Sequence, residues 1–376
     1  MLVHGHANPN LQHLTPESPM HVPAFKRRLN SSLRALGLLL VVAFSLPSHA
    51  AHLEHVASVE GTITDVTSQR ILFFVIEDGR PALKVFNRVS GSVRTVPDQT
   101  GHTPGYEKLT ARGVVYGITE DDETSVYEWN GSATPVWNDG TPRGMRVSPN
   151  NKRYIIWPAW RPGRYLNLRD VILYKDTLIG SGRVADFADV GDTGEVVFTE
   201  GPAPYNVFRF RAGQTVQLTH NVTYSNFNPL TDGINVVYRK QVSETASRIV
   251  MYNGSLGEVV LRDASADHFT PRADYLPSNG WVAFTRVNAV GGTALRQVWL
   301  RSPQGQMTAV SPASADASIA AVAGGQVMYG SDGYLFLSRP GAKPVLVAPF
   351  AAGTGSEWLQ GNWYVYFGGG LYRVAL

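Results

Sequence analysis

Beyond residue 50 the apolar positions fall in short runs, some continuous and some alternating with polar residues. No stretch sustains the 3.6-residue period of an amphipathic helix. Val, Ile, Tyr, Phe and Trp dominate these runs, and Gly, Pro, Asn-Gly and Asp-Gly punctuate them. The pattern predicts an all-β chain.

The strongest run recurs. Arg-Ile-Leu-Phe ends at Phe73, Gly-Val-Val-Tyr at Tyr116, Arg-Tyr-Ile-Ile at Ile156 and Glu-Val-Val-Phe at Phe198. Asn-Val-Val-Tyr then ends at Tyr238, Trp-Val-Ala-Phe at Phe284, Gln-Val-Met-Tyr at Tyr329 and Trp-Tyr-Val-Tyr at Tyr366, so successive copies lie 37 to 46 residues apart. A turn signal precedes most copies, as in Ser148-Pro149-Asn150-Asn151-Lys152, Gly191-Asp192-Thr193-Gly194 and Thr231-Asp232-Gly233. A second strand is expected after each copy, including Leu83 to Phe86, Ser125 to Trp129, Val171 to Tyr174 and Val207 to Phe210. In the first seven units a third follows. In two of them the link is Asn130-Gly131 or Asn253-Gly254, which fit type I′ hairpin turns.

Units of about forty residues, each a small meander, are the size of propeller blades. The spacing predicts a single β-propeller domain over 51–376 with eight four-stranded blades; seven blades and an irregular terminal hairpin is the alternative count. A long β-sandwich would need no such repeat. The eighth unit runs out at Leu376 after its second main strand, leaving an edge that would invite aggregation. Residues 53–59 form a spare strand belonging to no unit, and their pairing with the last blade is expected to close the ring.

The stretch Val147 to Trp157, with its Ser-Pro-Asn-Asn-Lys turn, resembles the TolB-like, WD-related propeller repeat, whose strand pair is introduced by Ser-Pro-Asp-Gly-Lys. Asp192 to Phe198 and Thr231 to Tyr238 are looser versions. The resemblance implies the propeller architecture. Propellers of this kind include periplasmic binding scaffolds, peptidase gates and some lyases, so it leaves function open.

The chain has 376 residues and a formal charge of +3, and residues 1–50 account for that charge. Lys26, Arg27, Arg28 and Arg34 flank or precede the apolar run Ala35 to Leu46, which leads to Ser48 and Ala50 at the -3 and -1 positions of a cleavage site. The run is shorter than the about 20 residues that span a bilayer. A secretory signal cut after Ala50 is therefore expected, with Met20 the better start, which would leave 1–19 untranslated. The remainder carries 29 residues of each charge sign, which does not support a basic surface for nucleic acid or an anionic membrane, and no stable membrane insertion is expected after cleavage. A periplasmic or secreted monomer is expected. The chain has no cysteine, so disulfides, thiolate nucleophiles and zinc-thiolate sites are excluded.

No Gly-x-Ser-x-Gly elbow, Walker loop, dinucleotide fingerprint or His-Glu-x-x-His occurs, and no cofactor is expected. Asp186, Asp189, Asp192 and Glu195 place four carboxylates within ten residues, a weak candidate for a hard cation, with a turn between strands as the competing explanation. The segment Trp157, Trp160, Arg161, Arg164, Tyr165 and Arg169 is the most suggestive feature. Aromatic faces stack on sugars or peptide side chains and guanidinium groups clamp carboxylates; the competing explanation has Trp157 and Tyr165 filling space between blades. The sequence thus points to an exported, non-catalytic module that recognises a protein or carbohydrate ligand on one face. The alternative is a propeller enzyme, such as a polysaccharide lyase or hydrolase, acting at the central funnel.

Overall fold

A computed structural model describes residues 50–375 apart from 98–106, 121–122, 138–144, 162, 267–268, 270, 291–292 and 352. The expected leader, 1–49, lies outside the described residues. Eight four-stranded antiparallel sheets follow one another along the chain. Seven are simple meanders, covering 62–95, 108–137, 146–182, 184–217, 226–265, 275–309 and 317–349. The eighth combines Gly355–Leu359, Asn362–Phe367 and Gly370–Ala375 with His52–Ser58, which pairs antiparallel to Gly370–Ala375 in the register His52 with Ala375 through Ser58 with Gly370. The chain is thus an eight-bladed β-propeller whose ring is closed by an N-terminal strand. Among the described residues no helix is long and apolar enough to cross a membrane.

The core is divided into eight layers, one at each junction between neighbouring blades. The second strand of each blade feeds two of them. In the first blade Ile71 and Phe73 face the eighth, while Leu72 faces the second. In the third, Ile155 and Trp157 face the second blade and Ile156 faces the fourth. Because side chains alternate across a strand, a strand buried on both faces must be apolar at every position. This is why Val-Val-Tyr and its relatives stand out as the repeat.

Polar links reinforce the inner ring. A carboxylate oxygen of Asp65 on the first strand of blade one accepts from the Leu109 N–H of blade two at 2.8 Å. Asp189 of blade four accepts likewise from Thr231 of blade five at 3.0 Å. Asp192 accepts from the N–H groups of Asn150 and Asn151, and Asp232 from that of Gly280 at 2.7 Å. Each bond satisfies a backbone donor that the blade's own ladder leaves free.

Two local expectations are corrected. Val171 to Tyr174 is a turn, and the third strand of blade three is Gly163–Asp170. Asp170 accepts from the N–H groups of Ile172 and Leu173 at 2.9 and 3.2 Å and Tyr174 takes a φ of 51°, so the chain reverses there and exposes Ile172, Leu173 and Tyr174. Such side-chain-to-backbone bonds favour a turn over continuation of the ladder. The Asn-Gly links are not type I′ turns. Asn253 closes a three-residue loop to Gly257 through a bond from the Leu256 N–H at 3.1 Å, with positive φ at Gly257 only. Asn130 opens a similar three-residue link in which only Gly131 has positive φ. Both follow the longer hairpin pattern with a single left-handed glycine.

Candidate axial funnel

The turns joining first to second strands all emerge at one end of the ring, and those joining second to third strands at the other. A cavity of about 490 Å³ opens at the first of these ends and is lined by every blade. It is continuous with a shallower depression of about 580 Å³ through the shared residues Asn150, Lys152, Asp192, Asn279 and Trp358. Together they form a funnel on the ring axis.

Its floor is charged and tightly held. In the Ser148–Lys152 turn the Ser148 hydroxyl donates to Asn151 Oδ1 at 2.6 Å, and Asn151 Oδ1 accepts from the Arg153 N–H at 2.9 Å. Lys152 takes a φ of 53°. Its ammonium lies 3.2 Å from Asp65 Oδ1 of blade one and 3.7 Å from Glu357 Oε1 of blade eight. The two carboxylates outweigh the cost of burial and hold Lys152 well above its ordinary pKa, so it remains an ammonium group. Burial pushes the Glu357 carboxyl up, with Lys152 pulling it back. Tyr366 is likewise driven up by burial, with Glu357 adding to the effect, and stays a neutral phenol.

A second cross-link joins blade four to the segment that leads into blade six, where Arg272 Nη2 meets Asp189 Oδ1 at 2.7 Å. Burial raises the Asp189 carboxyl and Arg272 opposes it. Aromatic groups complete the wall. Trp358 and Trp363 meet edge to face at 5.1 Å, and Trp363 donates its indole N–H to Gln326 at 2.6 Å. Tyr366 lies across Gly355, where a Cβ would collide with its ring. A glycine is therefore needed for Tyr366 to line the funnel. The funnel offers fixed charges of both signs, a phenol and indole faces. Lys152, held protonated, offers no free amine nucleophile there.

The residues singled out in the sequence lie elsewhere. Tyr154–Arg161 and Gly163–Asp170 form one long hairpin whose tip is at the opposite end of the ring from the funnel. Trp157 is buried, packed with Val115, Val126 and Met145 between blades two and three. Arg169 is gripped by Asp176 at 2.8 Å and by Glu128 of blade two at 3.1 Å. Tyr165 and Arg164 are half-buried, and the side chains of Trp160 and Arg161 lie outside the described residues. Of the acidic cluster, Asp189 serves Arg272 and Thr231, Asp192 serves the turn of blade three, and Glu195 accepts from the Thr231 hydroxyl at 2.8 Å. The Asp186 side chain is not among those described. Among the described residues no three His, Cys, Asp or Glu side chains come together.

No protein-family model matches the chain, and no curated protein matches it. Among solved structures it is similar to the tricorn protease, with 13% identity over 80% of this chain and 35% of that one and a TM-score of 0.42. It is similar to the β-propeller domain of the Trilobed protease from Pyrococcus furiosus, with 9% identity over 80% of this chain and 96% of that one and a TM-score of 0.46. It is also similar to TolB from Acinetobacter baumannii, with 11% identity over 80% and 81% of the two chains and a TM-score of 0.35. The chain spans about a third of the tricorn protease's length. At these identities the likeness is one of fold alone.

Proposed function

We propose that the protein is an exported binding module that holds a protein segment in the axial funnel. The observation that carries this reading is the convergence of all eight blades on one cavity whose charges are fixed in both signs beside the half-buried rings of Trp358 and Tyr366. A peptide presents charges of both signs and apolar side chains on one backbone, and preorganised partners for each lower the cost of ordering it. A glycan ligand at the opposite end, on the Trp160 and Arg164 hairpin, is the competing placement. Export rests on the basic, apolar and small-residue order of 26–50.

Site-directed photocross-linking separates the two placements. A benzophenone side chain at Ser278, in the funnel wall, is expected to capture a protein partner in cells. The same group at Tyr334, beside a second-to-third strand turn, is expected to capture none. Capture from Tyr334 alone, or loss of binding in Trp160→Ala with Arg164→Ala, would refute the funnel reading.

A hydrolase or lyase reading draws on one feature, the Glu357 carboxyl raised by burial beside the Tyr366 phenol. It requires turnover of an acidic polysaccharide that Glu357→Gln abolishes.

A further inference from the structure

A second cavity lies away from the axis, at the junction of blades one and two. It measures about 230 Å³. Its floor is apolar. Across blade one, Leu72 is registered with Val85 and Val85 with Arg94, and Leu72 and Val85 both face blade two. Cross-strand partners share a face, so Arg94 reaches over the same junction. From blade two, Val114 and its partner Trp129 close the floor.

Three guanidinium groups surround this floor, and among the described residues no carboxylate lines it. Among the described residues the Arg70 guanidinium donates only to main-chain carbonyls, those of Thr110 at 2.5 Å and Gly113 at 3.4 Å. Arg112 stacks 4.5 Å over the Tyr174 ring and donates to the Ile172 carbonyl at 3.5 Å. Arg94 is exposed and has no hydrogen bond or ion pair among the described residues. Ser90, Ser92 and Asn130 supply polar groups at the rim.

Blade three provides an internal comparison. There Asp170, registered with Tyr154 as Asn87 is with Arg70, grips Arg153, the residue before its strand, through Nε at 3.0 Å and Nη2 at 2.5 Å. Asp170 also caps the turn after its strand, accepting from the N–H groups two and three residues on. The residue doing that in blade one is Asn87, which accepts from Val89 at 2.9 Å and Ser90 at 3.1 Å. An amide caps the turn as well as a carboxylate but brings no negative charge to the cleft. Burial works against the charged form of Arg70 and Asp65 offsets it only in part, a cost that an external anion would relieve.

We propose that this cleft binds an acidic monosaccharide unit, a sugar ring bearing a carboxylate, sulfate or phosphate. Guanidinium forks match such oxyanions in bidentate fashion. The apolar floor and the hydroxyl and amide rim suit the face and hydroxyls of a pyranose ring. The volume admits one ring, which sets the ligand's size class.

The test is calorimetric titration of the full chain with glucuronate, glucose 6-phosphate, glucose, inorganic sulfate and a hexaglutamate peptide. Either acidic sugar is expected to bind, glucose is not, and Arg94→Ala with Arg112→Ala is expected to weaken binding about tenfold or more. Both residues lie on the surface, so the melting temperature should be unchanged. Neither lines the funnel, so failure here leaves the funnel reading untouched. Absence of binding by both acidic sugars, or undiminished binding in the double variant, would overturn the proposal. Sulfate or hexaglutamate binding more tightly than the sugars would assign the cleft to a simple anion or an acidic protein segment and overturn it too.

Discussion

Lys152 Nζ stands 3.2 Å from Asp65 Oδ1, tying blade three to blade one past the intervening blade. Both side chains are nearly out of water, at 9% and 2% exposed. Removing one partner of such a pair strands the other charge, which costs about 3–5 kcal/mol. Lys152→Met is therefore expected to lower unfolding free energy by that amount in urea denaturation at neutral pH. Asp65→Asn with Lys152→Met should cost less than the single change. A double-variant cost equal to the sum of the two single costs would show that the pair is not coupled.

The Glu357 carboxyl sets a pH dependence. Burial raises it above the ordinary 4.5, so the folded chain holds this proton more firmly than the unfolded chain. Its contribution to stability is then greatest in acid and declines as pH rises from 4.5 through the raised folded value. Glu357→Gln removes the decline. Relative to wild type, the variant is expected to gain stability between pH 4.5 and pH 7, read from urea midpoints at several pH values. A difference independent of pH would contradict the assignment.

Ring closure depends on His52–Ser58. Leu53, Val56 and Ala57 pack against the layers on either side of blade eight, and Arg373 Nε meets Glu54 at 2.8 Å across the seam. Deleting residues 51–60 removes this burial, worth about 3 kcal/mol or more by apolar area, and exposes the edge of Gly370–Ala375 to other chains. A marked fall in melting temperature with concentration-dependent aggregation is expected. Unchanged melting would show that another segment seals the ring.

Trp157 is a test of packing. Its indole fills the layer between blades two and three, and its Nε1 is buried with no hydrogen-bond partner among the described residues. Trp157→Ala should cost about 3–5 kcal/mol. Trp157→Phe should recover much of that, since it keeps an apolar ring and removes an unpaired donor. A Phe variant as unstable as the Ala variant would point to an unseen partner for the indole.

The blades were legible because a strand buried on both faces must be apolar at every position, as Val114-Val115-Tyr116 shows. The spare strand at 53–59 was legible for the complementary reason, an apolar run without a unit. Val171 to Tyr174 misled because an apolar run signals burial only if its backbone stays extended, and the Asp170 side chain turns it. The funnel was not legible. Its inner strands are as short as Lys108–Leu109 and Arg146–Val147, and its decisive pair is separated by 87 residues. Only the Lys of the Ser-Pro-Asn-Asn-Lys turn carried a signal, and reading its target required the closed ring.

Arg169 separates structural charge from ligand charge. Glu128 is 3% exposed, its Oε2 accepts from Arg169 at 3.1 Å, and its Oε1 has no partner among the described residues. Burial already raises this carboxyl while Arg169 pulls it down. Without Arg169 the carboxyl rises further and favours the protonated form, so the folded state is penalised most where Glu128 must ionise. Arg169→Ala is therefore expected to cost about 3 kcal/mol at pH 8 and distinctly less at pH 5, measured by urea denaturation. Arg169→Ala with Glu128→Gln should show no such pH dependence. If Arg169 acted instead as a ligand clamp, its loss would weaken binding and leave stability unchanged at both pH values.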